Sequence, residues 1–191
     1  MIDYLKEKGL VSEKEAPVVL YGMKLLFMTL VELIGVILLA VWCGNFLEGL
    51  CFLLGFCSLR VYAGGYHAKT PIRCFFMTLA VYMVFSFLLA IIPVERYLFI
   101  EVITGILTLF VVESFAPIIH ENRIIDSYEI ERYRQLSIQM CLGDLVLIMI
   151  SEMVLPANPY TFSFSLGLAM VVFFIMVVLS KDAYCKRRSK L

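Results

Sequence analysis

The sequence predicts an all-α protein, a polytopic membrane bundle of about six transmembrane helices preceded by an N-terminal interfacial amphipathic helix. Three observations carry that prediction. Hydrophobic residues make up 62% of the 191 and charged residues 17%, whereas a soluble domain is apolar over only about half its length. Mean hydropathy is +0.93. The apolar residues also gather into runs long enough to cross a hydrocarbon layer of roughly 30 Å, with short polar, Pro or Gly breaks between them.

Residues 1–20 mix Ile2, Leu5, Leu10 and Val11 with Lys6, Lys8 and Lys14, the composition of a segment lying on a membrane surface, and Pro17 ends or kinks it. No signal-peptide pattern occurs in this stretch, so the first span, about 23–43, is expected to be retained. Gly44-Asn45 makes a tight turn. The second span, about 46–59, is short unless it continues to 61 or 62, which leaves a tilted or re-entrant helix open. Thr70 followed by Pro71 reads as an N-cap with proline at the first helical position, starting a third span over 71–92 that closes at Pro93 to Arg96. A fourth runs over 97–115.

The longest polar loop, 117–134, holds Asp126 and Glu129 at capping-box spacing, and Ile130, Tyr133 and Ser137 lead at helical spacing into a fifth span over 136–155. Pro156-Ala157-Asn158-Pro159 turns the chain into a sixth span over 160–179, followed by a basic tail over 181–191. No internal repeat or linker divides the chain, so residues 1–191 are expected to form a single membrane-embedded domain.

Formal net charge is zero, but the charges are not evenly placed. Of the 16 Lys and Arg residues, Arg96 alone falls on one side of a six-span arrangement. The positive-inside rule then expects both termini, the loop after the second span and the 117–134 loop in the cytoplasm. Thiols on that side stay reduced. Five of the six cysteines (Cys43, Cys51, Cys57, Cys141 and Cys185) read as small apolar residues, with no C-x-x-C pair and no His at zinc-ligand spacing, so no metal or organic cofactor is implied. Nothing resembles a basic and aromatic patch for nucleic acid.

One stretch carries reactive chemistry. Residues 58–76, SLRVYAGGYHAKTPIRCFF, crowd polar side chains between two apolar spans. Cys74 falls in the first turn of the helix expected from Pro71, where unpaired N–H groups, the positive dipole end and Arg73 favour a thiolate. His67, seven residues earlier, has the side chain suited to proton transfer near neutrality, and Gly64-Gly65 gives the backbone freedom to bring it back toward Cys74. The pair suits a Cys/His nucleophilic dyad. On the bland reading His67 is an interfacial loop residue, Cys74 an inert thiol and Arg60 an interface anchor.

Arg60, Gly64, Gly65, His67 and Cys74, set out as R-x-x-x-G-G-x-H-x-x-x-x-x-x-C after a hydrophobic helix, resemble the catalytic pattern of the AgrB family of Gram-positive quorum-sensing processing enzymes. Ala116-Pro117 followed by Glu121-Asn122-Arg123 is similar to that family's A-P to E-N-K element, with Arg123 where Lys is usual. The resemblance implies a membrane cysteine endopeptidase with His67 and Cys74 catalytic and Arg60, Gly64 and Gly65 supporting. It implies an AgrD-like propeptide as partner, with Glu121 and Asn122 as candidate substrate contacts, and a cyclic thiolactone or lactone as product.

Among the carboxylates within spans, Glu32, Asp144 and, near one end, Glu113 are singled out. Charge in hydrocarbon is costly, so each is expected to face the bundle interior or a wet cavity. They either bond neighbouring helices or supply a third catalytic group that orients His67, for which Glu113 is the first candidate and Asp144 the second. His120 reads as a solvated loop residue. The small residues Gly35, Gly55, Gly105, Gly143 and Gly167 allow close helix packing within a protomer or in a homodimer. The alternative from another class is a transporter or scaffold for a peptide, with Glu32 and Asp144 lining a path and the 58–76 loop as its gate.

Overall fold

The computed structural model describes residues 16–64, 71–118 and 127–188. Among them the chain forms six α-helices: α1 Ala16–Cys43, α2 Phe46–Ala63, α3 Pro71–Ile91, α4 Tyr97–Phe115, α5 Ser127–Val154 and α6 Pro159–Arg188, with a 3₁₀ turn at Val94–Arg96 before α4. The interfacial segment as far as residue 15, Gly65, His67, Thr70, His120, Glu121, Asn122, Asp126 and the last three residues of the basic tail lie outside the described residues.

Long apolar runs become helices because hydrocarbon offers backbone N–H and C=O groups no water, and a helix satisfies them within the run. Proline marks the starts. Pro17 stands in the first turn of α1, and Pro71 and Pro159 open α3 and α6, positions where a missing N–H costs nothing. Breaks fall at Gly44 with φ 73°, at the extended Pro93 and at Ala157 with φ 52°.

Three helices outrun the spans read from hydropathy. α1 starts at Ala16, α5 at Ser127 and α6 reaches Arg188. The first turns of α5 carry exposed Tyr128, Glu129, Glu131, Arg132 and Arg134. A helix continues into water where hydropathy falls away, so hydropathy locates the membrane layer and not the helix end. α2 extends to Ala63, and its 18 residues reach about 27 Å at 1.5 Å per residue. Five described helices are long and apolar enough to cross a membrane. The 28 residues of α1 reach about 42 Å, with the apolar part over Phe27–Cys43. The protein is thus an all-α polytopic membrane bundle.

α6 is the axis of the bundle. Half of its membrane-length stretch is buried, and its most extensive partner is α2, followed by α4. Gly55 and Gly167 make the α2–α6 contact possible, since a Cβ on Gly55 would strike the Phe164 carbonyl and one on Gly167 the Phe52 carbonyl. Without a hydrophobic force between helices in lipid, backbone approach of this kind supplies the packing. Gly35 accepts the Phe75 ring and Gly105 the Leu145 side chain, whereas Gly143 has nothing within 4 Å.

Successive helices alternate in direction, which brings Ala63, Cys74, Ala116 and the start of α5 to one end. A core of Leu59, Ala63, Val112, Ala116, Cys141 and Ile175 lies toward that end. At the other, Val36, Phe52, Tyr82, Phe85, Tyr97 and Phe162 form a second core, with the Tyr97 and Phe162 rings stacked at 3.9 Å.

Candidate functional site

Cys74 is half-buried in the first turn of α3. Backbone N–H groups there have no acceptor within the helix and the dipole presents its positive end. The Thr78 hydroxyl donates to the Cys74 carbonyl at 3.1 Å, one turn into the helix. Cys43, Cys51, Cys57, Cys74 and Cys141 form no disulfides, and Cys43 and Cys57 are exposed on the outside of the bundle.

Arg60 occupies the last turn of α2, where a cation suits the negative helix end. Its Nη1 donates to the Gly64 carbonyl at 2.8 Å. The guanidinium carbon lies 5.9 Å from the Phe56 ring centroid and 5.2 Å from that of Phe174 on α6. Both fall within the range at which a ring face attracts a cation. The same guanidinium stands within electrostatic reach of the Cys74 and Cys57 sulfurs. Arg60 therefore ties the chain leaving α2 and stands within electrostatic reach of Cys74.

Gly64 has φ 72°, and its N–H donates to the Arg60 carbonyl at 3.1 Å. A Cβ on Gly64 would run into the Ile118 carbonyl, while the Ile118 N–H donates to the Ala63 carbonyl at 2.9 Å. The positive φ is open to glycine at little cost, and the contact excludes any side chain. A backbone bridge, Gly64 to Ile118, thus joins the first glycine of the pair to the segment after the cis Ala116-Pro117 peptide. The two stretches that carry the sequence resemblance meet here.

The membrane carboxylates separate. Glu113 is exposed on α4, beside Val111 and Val112, which are core residues. Asp144 is 6% exposed. The Ser58 hydroxyl stands 2.9 Å from Asp144 Oδ2 and 3.0 Å from the Gly55 carbonyl. Ser58 and Arg60 are two residues apart, about 200° around α2, so Asp144 and Arg60 hold opposite sides of that helix. Glu32 is half-buried on α1. Among the described residues no three His, Cys, Asp or Glu side chains gather at metal-ligand distance.

Arg60, Gly64 and Cys74 lie at one end of the bundle, Arg60 bonded to Gly64 and within electrostatic reach of Cys74, while His67, which Glu113 was expected to orient, lies outside the described residues. Sequence reasoning missed Phe174, which no spacing links to Arg60, and the Ile118 bridge. It also passed over Glu101, which the rule applied to Glu32 and Asp144 would have found.

A bundle of helices long and apolar enough to cross a membrane, with a thiol in the first turn of one of them and an arginine within electrostatic reach of it, defines a polytopic membrane protein. The family model described as AgrB, accessory gene regulator B, matches residues 1–178, and the chain belongs to that family. It is 28% identical to AgrB-like protein 1 of Clostridium perfringens over 118 residues, 62% of each chain. To AgrB-like protein 2 of the same organism it is 29% identical over 111 residues, 56% of this chain and 52% of the relative. Each match spans less than two thirds of the relative's length. No solved structure matches.

Proposed function

We propose that this chain is a membrane cysteine endopeptidase that cleaves an AgrD-like propeptide in quorum sensing, at the end of the bundle where Cys74 lies. The observation that carries the reading is Cys74 in the first turn of α3, within electrostatic reach of Arg60, at the end of the bundle where Gly64 meets Ile118. His67 takes the thiol proton and the Cys74 sulfur attacks the carbonyl at the cleavage point. The peptide C–N bond breaks, the departing amine takes the proton from His67, and the N-terminal part stays as a thioester on Cys74. An internal nucleophile of the peptide then displaces the sulfur and closes the ring, which would release a cyclic product.

Arg60 supports this chemistry in two ways. It fixes the Gly64 carbonyl, and it puts a positive charge beside a sulfur that must carry negative charge to react. Glu121 and Asn122 contact the propeptide in this reading, and the active end faces the cytoplasm with both termini, as the distribution of Lys and Arg supports.

The test is cleavage of an AgrD-like propeptide by full-length protein in liposomes, with products and adducts followed by mass spectrometry. Wild type is expected to cleave and to carry a thioester adduct, and Cys74→Ala and His67→Ala to do neither. Cleavage by Cys74→Ala at the wild-type rate would overturn the reading and favour a peptide transporter or scaffold.

A further inference from the structure

Glu101 lies about one turn inside the end of α4 remote from Cys74, is 2% exposed, and neither carboxylate oxygen has a hydrogen-bond partner among the described residues. Ser165 on α6 is 1% exposed, and its hydroxyl is likewise unpartnered among them. The two residues share a level. Tyr97 stacks on Phe162, and α4 and α6 run in the same direction, so one turn deeper places residue 101 opposite 165 and 166. They also share a face. Thr104 and Thr108 follow Glu101 at helical spacing, Ala169 and Val172 follow Ser165, and those four line one groove of about 180 Å³ between the helices.

A third helix brings a second carboxylate. Glu152 on α5 is within electrostatic reach of Glu101. Glu152 accepts from the Ala157 N–H at 2.8 Å and from Asn158 Nδ2 at 3.5 Å, which fixes it against the turn into α6. Glu101 is thus a buried carboxylate with no hydrogen-bond partner among the described residues and with a second acid within electrostatic reach, an arrangement that suits a positive partner.

We propose that Glu101, Glu152 and Ser165 form a binding site for a small hard cation, sodium or calcium, at the end of the bundle opposite Cys74. The donors are all oxygen, from two carboxylates and a hydroxyl, which suits hard cations and not the softer metals that take His and Cys. The ion balances the charge that the fold leaves bare on Glu101 and clamps α4, α5 and α6 to one another.

The test uses full-length protein in detergent and reads its thermal unfolding in N-methylglucamine chloride, with sodium chloride or calcium chloride substituted at constant ionic strength. A ligand that binds only the folded state raises the midpoint in a saturable way. The expected result is a rise of several degrees with sodium or with calcium, absent in Glu101→Gln, which keeps the shape and removes the charge. Ser165→Ala is expected to need several-fold more of the same ion, and Cys74→Ala to respond as wild type does. A midpoint indifferent to all the salts, or an unchanged response in both Glu101→Gln and Ser165→Ala, would overturn the proposal. None of these readings uses the propeptide, so failure of the peptidase reading leaves the test intact.

Discussion

At the Cys74 end, the half-buried Arg60 is enclosed by the faces of Phe56 and Phe174 and bonded to the Gly64 carbonyl. At the opposite end, Glu101 is buried more completely, and no described side chain or backbone group bonds it. Packing of α6 against α2 closes the first site on its charge, whereas packing of α6 against α4 leaves the second open to a partner from outside the chain. Asp144, between them in depth, is already satisfied by Ser58. Burial by itself therefore does not distinguish a charge held in place by the fold from one placed to receive something. The partners do.

The largest test of the equipped end is removal of its sulfur. Cys74→Ala is expected to lower propeptide cleavage by about a thousandfold or more while leaving thermal unfolding unchanged. A folded variant that still cleaves would put the chemistry elsewhere.

The joint beneath it comes next. Gly64→Ala puts a Cβ into the Ile118 carbonyl at a positive φ. It is expected to destabilise the protein by about 1–3 kcal/mol and to reduce cleavage with it. Denaturant or thermal unfolding of the purified variant checks the first part. Unchanged stability would mean that the Gly64 to Ile118 bridge does not hold the loop.

A smaller effect is expected from the ring over Arg60. Phe174→Leu keeps apolar bulk and removes the π face, worth about 1 kcal/mol at such a site, so cleavage should fall roughly fivefold if that contact positions the guanidinium. Phe174→Tyr should restore it. Equal rates for Leu and Tyr would show that Phe174 only fills space, and the contrast between the two ends would lose its main support.

The least effect belongs to Gly143. With nothing within 4 Å of an added Cβ, Gly143→Ala is expected to be neutral or to stabilise α5 by up to about 1 kcal/mol. Gly55→Ala, directed at the Phe164 carbonyl, should destabilise the bundle clearly. Similar unfolding midpoints for the two would contradict the close α2–α6 approach.

Much of this molecule is legible along the chain. The bounds of α4 match the apolar run and its flanking breaks at both ends, because Pro93 and Pro117 leave little choice of register. α1, α5 and α6 extend beyond their expected spans because a helix needs no hydrocarbon to continue. Gly64 was legible as a glycine with a backbone task, but the task, making room for Ile118, was not. Arg60 stood open as an interface anchor or a supporting residue of the site, and its bond to the Gly64 carbonyl could not be read from the chain.

Taken alone, the sequence determined that the chain is helical, that it lives in a bilayer, and where its breaks fall. Those follow from local rules, since in hydrocarbon each segment must satisfy its own backbone and proline and glycine act on their own neighbours. Only the tertiary structure decided that Phe174 covers Arg60, that Ile118 meets Gly64, that Asp144 finds Ser58 and that Glu101, within electrostatic reach of Glu152, has no hydrogen-bond partner among the described residues. The residues in each of these pairings lie on different segments, and their meeting depends on which helix faces pack. No spacing within one run records that choice.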